Sequence, residues 1–134
     1  MKDNITESGI KLQTGFSIEV NESAESLVVL IKHDYYSSDN DNGRMILDSF
    51  LDGLIMTADR IKMILITDSA VKLLGTSDKL NDLIKVVRLT MVCDDSIRFY
   101  NASVPDPVKD MIRTVPSSDI TDQIIESKPD IIIE

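Results

Sequence analysis

The sequence predicts an α/β protein with a mostly parallel β-sheet flanked by helices on both faces, in three α/β/α layers. Two observations carry this. The apolar runs LVVLIKH (27–33), KMILIT (62–67), RLTMVC (88–93) and DIIIE (130–134) are short and rich in β-branched residues, as strands covered on both faces are. Between them lie segments whose apolar residues recur at three- and four-residue steps, the period of a helix with one buried side. A helix between two strands is the crossover that parallel pairing requires.

Residues 1–26 are mostly polar, and within them IKLQTGFSIEV (10–20) alternates weakly around Thr14 and Gly15, as a short edge strand, a hairpin or a loose tail. The α/β domain spans 27–134. After the first strand, DYYSSDNDNG (34–43) is a polar loop that ends at a helix start near Gly43 and is long enough to fold over a site as a lid. Asp39, Asp41 and Gly43 imitate a calcium loop, but the glycine comes one place early and Phe50 stands where the last carboxylate belongs. The next segment, 44–58, sets Leu47, Phe50, Leu51, Leu54 and Ala58 on one helical side. DSAVKLLGT connects the second strand to a helix over 77–87, with Ser77 as N-cap and Leu80, Leu83, Ile84 and Val87 facing inward. SIRFYN begins a short helix after the third strand, a proline-punctuated stretch follows, and 117–127 reads as the last helix.

At 134 residues, with 43% hydrophobic and 28% charged, the chain has the balance of one globular domain. Trp is absent and there are 3 Tyr and 3 Phe, so the core must be aliphatic. A net charge of -9 with no basic stripe argues against nucleic acid and anionic membrane as partners. The first residues lack a signal peptide's apolar core, and no apolar run approaches the length of a membrane span. A single cysteine cannot close an internal disulfide, which fits a reducing cytoplasm.

Several segments, in order, resemble the DsrE-like sulfur-relay family, most closely the DsrE-like C-terminal domain of YedF-type selenium-metabolism proteins. NGRMILDSF keeps Gly43 and Phe50 in register with the family's L-G-K-I-L-M-K-G-F. DSAVKL keeps Ser69, Val71, Lys72 and Leu73 of N-S-G-V-K-L, with Asp68 and Ala70 as departures. TSDKLNDL keeps Ser77, Asp82 and Leu83; CDDSIRFYNA keeps Cys93 and Tyr100 of C-G-T-C-L-D-Y-Y-G-L; VKDM resembles V-S-N-M. The resemblance covers residues 27–134. It implies a DsrE-type fold, a homo-oligomer, no cofactor, a sulfur-donor or sulfur-acceptor protein as partner, and a rim cysteine that carries sulfur as a persulfide. Ser96 stands where the family has its second cysteine, so a vicinal disulfide is ruled out and the carrier role falls on Cys93 alone.

The chemistry around Cys93 points two ways. A thiolate must attack the donor sulfur, and a position just before a helix favours an anion. Asp94 and Asp95 beside it disfavour a second negative charge, and either is a good N-cap for a helix starting near Ser96. The alternative to a sulfur carrier is therefore a non-catalytic scaffold for oligomerisation or small-ligand binding, with Cys93 as a packed small residue. Ligands of open parallel sheets gather beyond the carboxyl ends of the strands. That places His33, Asp68, Ser69 and Lys72 with Asp94, Asp95 and Ser96 as candidate lining residues. Lys72 is the cation expected to offset the aspartates beside Cys93, and His33 would pair with Cys93 only if the sheet set them side by side. Tyr35, Tyr36 and Tyr100 are candidates for stacking on a ligand. No phosphate-binding glycine loop, zinc spacing or nucleophile elbow is present.

Overall fold

The computed structural model describes residues 25–134; the hairpin expected over 10–20 lies outside them. Five strands form one sheet in the order β4-β3-β2-β1-β5, every pair parallel: β1 (Leu27–Ile31), β2 (Ile61–Ile66), β3 (Thr90–Cys93), β4 (Arg113–Val115) and β5 (Ile131–Ile133). The helices are α1 (Asp41–Met56), α2 (Asp78–Val86), α3 (Asp94–Tyr100), α4 (Asp106–Lys109) and α5 (Ser117–Ser127). This is the expected three-layer α/β/α architecture.

Strand order explains where the helices lie. From β1 through β4 the chain steps across the sheet in one direction, so right-handed crossovers put α1 to α4 on one face. The return from β4 to β5 runs the other way and carries α5 across the opposite face. The two cores match this. Val29, Ile31, Ile64, Ile66, Val92 and Ile133 pack under Leu47, Leu51, Leu80, Leu83 and Val108 of the first helix layer. Val28, Leu30, Met63, Leu65, Met91, Cys93 and Val115 pack on the other side with Ile120 of α5. Neighbouring core residues of β1, β2 and β3 alternate between the two cores, as the pleat requires.

Local signals set several boundaries. The Asn40 carboxamide oxygen accepts from Gly43 N at 2.9 Å, so α1 begins at Asp41, three residues before the start expected from its apolar spacing. Ser77 caps α2 as expected, accepting from Leu80 N at 3.1 Å. The connection after β2 is itself helical, a 3-10 segment from Asp68 to Gly75 that buries Ala70, Val71 and Leu74. Two elements in the proline-punctuated stretch were not expected, α4 and the edge strand β4. β4 has two exposed residues of three, so it carries no apolar run to announce it.

Candidate functional site

Beyond the carboxyl ends of β1 and β2 six polar side chains close into a ring. His33 follows β1; its Nδ1 lies 3.2 Å from Asp68 Oδ2 and 3.4 Å from Ser69 Oγ. Asp68 accepts a hydrogen bond from the Tyr100 hydroxyl at 2.8 Å. The Tyr100 ring carries the Lys72 ammonium 5.4 Å from its centroid, and Lys72 Nζ lies 3.3 Å from Asp34 Oδ2. The backbone N–H of Asp34 donates to Ser69 Oγ at 3.2 Å, which returns to His33. The ring thus ties together the β1 exit, the 3-10 segment and α3.

Two backbone features hold it. Asp68 takes a left-handed conformation with φ of 53°, which aspartate tolerates better than most residues. That turn aims its N–H at Ser96 Oγ, 3.0 Å away, so Ser96 anchors the end of β2 to the first turn of α3. Tyr35, from the loop after β1, lies over the imidazole with ring centroids 4.8 Å apart and planes 4° from parallel.

The electrostatics follow from the partners. The Tyr100 hydroxyl is held above its ordinary value because its phenolate would face the Asp68 carboxylate that now accepts its proton, with partial burial adding to this. Both His33 contacts use Nδ1, and Nε2 has no protein partner among the described residues. Nε2 is thus the ring nitrogen open to a ligand. Ser69 is buried at 7% exposure, while Lys72 and Asp68 are about half exposed. The rim can therefore meet a small ligand with an imidazole nitrogen, an ammonium and an aromatic surface.

Cys93 is not part of this ring. Its side chain belongs to the core beneath α5, among Met91, Val115 and Ile120, and is 4% exposed. β2 separates its strand from that of His33, and Cys93 packs into the α5-side core while His33 Nδ1 meets Asp68 and Ser69, so no Cys–His pair forms. Lys72 pairs with Asp34 and does not offset Asp94 or Asp95; Arg98 binds both of those carboxylates. Their three- and four-residue spacing to Arg98 on one helix was the signal for it.

Asp94 and Asp95 also differ from the expected caps. α3 begins at Asp94, so both lie inside its first turn, and the N-cap position falls on Cys93 without a side-chain bond. Asp95 instead reaches across to α5 and accepts from Ser117 N at 2.9 Å. It satisfies an N–H that the Pro116 N-cap of α5 cannot. That hydrogen bond, helped by the Ser117 side chain and Arg98, holds the Asp95 carboxyl below its ordinary 3.8. A depressed carboxyl stabilises the fold above the unfolded-state value, and this contribution is lost as pH falls through the folded-state value. Asp95→Ala is expected to lower Tm near neutral pH, and the deficit should shrink on acidification in thermal melts run as a pH series.

For Asp34, which follows His33 at the carboxyl end of the first strand, sequence reasoning missed the pairing. Its partner Lys72 is 38 positions away in sequence (72 - 34), so no local spacing could reveal the pair. Among the described residues no cluster of His, Cys, Asp and Glu could hold a metal ion, and no helix is long and apolar enough to cross a membrane.

The fold and the rim define the class: an all-parallel, five-stranded α/β/α protein with a polar site at the carboxyl edge of its sheet. No family model matches the chain, and no curated protein matches it significantly. The chain is similar to two solved structures, the first of them similar in fold. A conserved protein of unknown function from Bacteroides thetaiotaomicron, BT1422, superposes with a TM-score of 0.52 at 14% identity, over 83% of this chain and 96% of that one. A protein of unknown function from Methanobacterium thermoautotrophicum, MTH1491, gives a TM-score of 0.45 at 18% identity, over 75% of this chain and 91% of that one.

Proposed function

We propose that the chain is a DsrE-like protein of sulfur or selenium metabolism that binds a small polar ligand non-covalently at its rim, with Cys93 as a core residue. One contrast carries this reading: the only thiol lies inside the α5-side core at 4% exposure, while the ring around His33 faces outward. A persulfide carrier has to present its sulfur to a donor and then to an acceptor, which a packed side chain does not do. The order of segments similar to the DsrE-like family supports the sulfur or selenium assignment.

In the rim, Lys72 meets a ligand oxygen in place of Asp34, and Nε2 is the ring nitrogen left open beside it. Asp68 holds the imidazole at Nδ1, and Tyr35 fixes the ring plane. His33 is the only histidine, so its Hε1 proton gives one uncluttered NMR signal. Titrating thiosulfate, a small sulfur oxyanion, should shift that signal saturably in wild type and leave it unmoved in Lys72→Met.

The rival reading is a sulfur carrier served by a donor or acceptor protein. Incubation with a glutathione persulfide should leave the folded protein's mass unchanged. A gain of one sulfur atom that disappears in Cys93→Ser would overturn the non-covalent reading. The same variant reports on packing: a serine hydroxyl without a partner in this apolar cluster costs about 1–3 kcal/mol. Cys93→Ala should cost less, and urea melts compare the two.

A further inference from the structure

We infer that the ligand of the rim is a small zwitterion, an amino acid or aminosulfonate whose oxyanion meets Lys72 and whose ammonium meets Asp34. This names the chemical class the site takes, and it rests on the rim reading given above.

The Lys72–Asp34 pair sets the requirement. Lys72 Nζ lies 3.3 Å from Asp34 Oδ2, and among the described residues it is the only partner of that carboxylate. The two ends are unequally placed. The Lys72 side chain is 45% exposed and free to swing to a ligand, whereas that of Asp34 is 19% exposed and its backbone N–H is tied to Ser69 Oγ. A simple anion that draws Lys72 away leaves the Asp34 carboxylate largely out of water with no counter-charge, which is costly. A ligand that brings its own cation restores both halves of the pair. Because the paired charges stand 3.3 Å apart, the ligand's two charges must lie only a few bonds from each other, as they do in α- and β-amino acids.

Room for the ammonium end is present. Asp34 also lines a cleft of ≈ 380 Å³ between α1 and the start of α2, with Leu47, Leu51 and Leu73 among its walls. Its charges have the matching sign. Arg44 is occupied by Asp39 and Asp41, and Lys79 by Asp48 and Asp52. Asp78, in the first turn of α2, has no partner among the described residues. The cleft end thus offers carboxylates and no unoccupied cation, while the ring end offers the Lys72 ammonium beside Tyr100. That polarity orients a zwitterion and gives a plain anion nothing on the cleft side. A chain with a net charge of -9 also repels an anion and not a molecule without net charge.

Two probes that differ in one group test this. Taurine carries an ammonium and a sulfonate on adjacent carbons; isethionate has a hydroxyl in place of the ammonium. Titrated into the full chain and followed at His33 Hε1, taurine should bind about 10-fold tighter than isethionate, the worth of one charge-assisted hydrogen bond. Asp34→Asn should bind the two alike, and should bind thiosulfate at least as tightly as wild type because Lys72 is released. Retained thiosulfate binding shows at the same time that the variant's rim is folded. If wild type binds thiosulfate but takes taurine no better than isethionate, the zwitterion inference falls and the rim reading stands. A wild type silent to all three probes overturns both. A taurine preference that survives Asp34→Asn overturns the inference, because the ammonium is then read elsewhere or by overall charge alone. Loss of thiosulfate binding in the variant overturns it too, since Asp34 would then support the site instead of competing for Lys72.

Discussion

Ile66→Ala is expected to lower the free energy of unfolding by about 3–4 kcal/mol, within the range of roughly 2–5 kcal/mol for truncating a buried Leu, Ile or Met to Ala. Ile66 is 0% exposed on the central strand, in register with Ile31 on one side and Val92 on the other. Rigid strands on both sides prevent the gap from collapsing, so the cost combines lost burial with a persistent cavity. The residue also ends β2 immediately before Thr67 and Asp68, so the cavity opens behind the ring that fixes His33. Urea melts should show a lower midpoint with an unchanged slope. Ile132→Ala is the control: on the edge strand and 47% exposed, it should cost less than about 1 kcal/mol. Equal losses at both positions would contradict the strand order.

Gly43→Ala should destabilise by roughly 2–3 kcal/mol, although alanine favours a helix over glycine by about 1 kcal/mol. A Cβ on Gly43 would stand 1.8 Å from the Ser38 carbonyl oxygen and 2.9 Å from that of Tyr36. Both obstacles are backbone, so no rotamer change relieves them, and the 36–40 loop must move. That loop is tied down by the Tyr36 N–H donating to the Gly43 carbonyl at 2.9 Å and by the Asn40 cap. It also carries the chain on from Asp34 and Tyr35 into α1. The variant should therefore show, besides its lower Tm, a displaced His33 Hε1 resonance as the Tyr35 ring shifts over the imidazole.

These two positions differ in how visible they were beforehand. Ile66 stands out as part of an apolar, β-branched run, and burial on both sides follows from that run alone. Gly43 is marked in the sequence by its place near a helix start and its register in the family motif, neither of which shows that a side chain is excluded; the carbonyls that exclude one become evident once the loop is folded back. The α1 boundary shows the same division. Apolar spacing starts at residue 44, but Asn40 and its bond to Gly43 extend the helix into a polar stretch with no hydrophobic signature.

Within the site, His33, Asp68, Ser69 and Lys72 were identifiable because each follows a strand or lies on the connection after one, and parallel sheets gather such residues at one edge. Their connectivity was not. Asp34 in place of the α3 aspartates as partner of Lys72, Ser96 as an anchor for Asp68, and Asp95 as a cap for α5 all join residues 20 to 40 positions apart.

By itself, the sequence determined the alternation of strands and helices, the Leu47, Leu51 and Leu54 stripe of α1, the buried face of α2, the Ser77 cap and the span of α5. Each of these depends on residues within a turn or two of one another, where spacing and side-chain type act directly. Phe50, expected on the buried side of α1, is exposed, and Ala58 falls in a 3-10 turn past its end. Only the tertiary structure decided that Cys93 faces α5 while His33 meets its partners at the carboxyl edge. Alternation along β3 places Cys93 with Met91, but which side of the sheet that is, and what covers it, depends on β5 inserting beside β1 at the far edge. Strand order is set by burial summed over the whole sheet, and no short stretch of chain contains it.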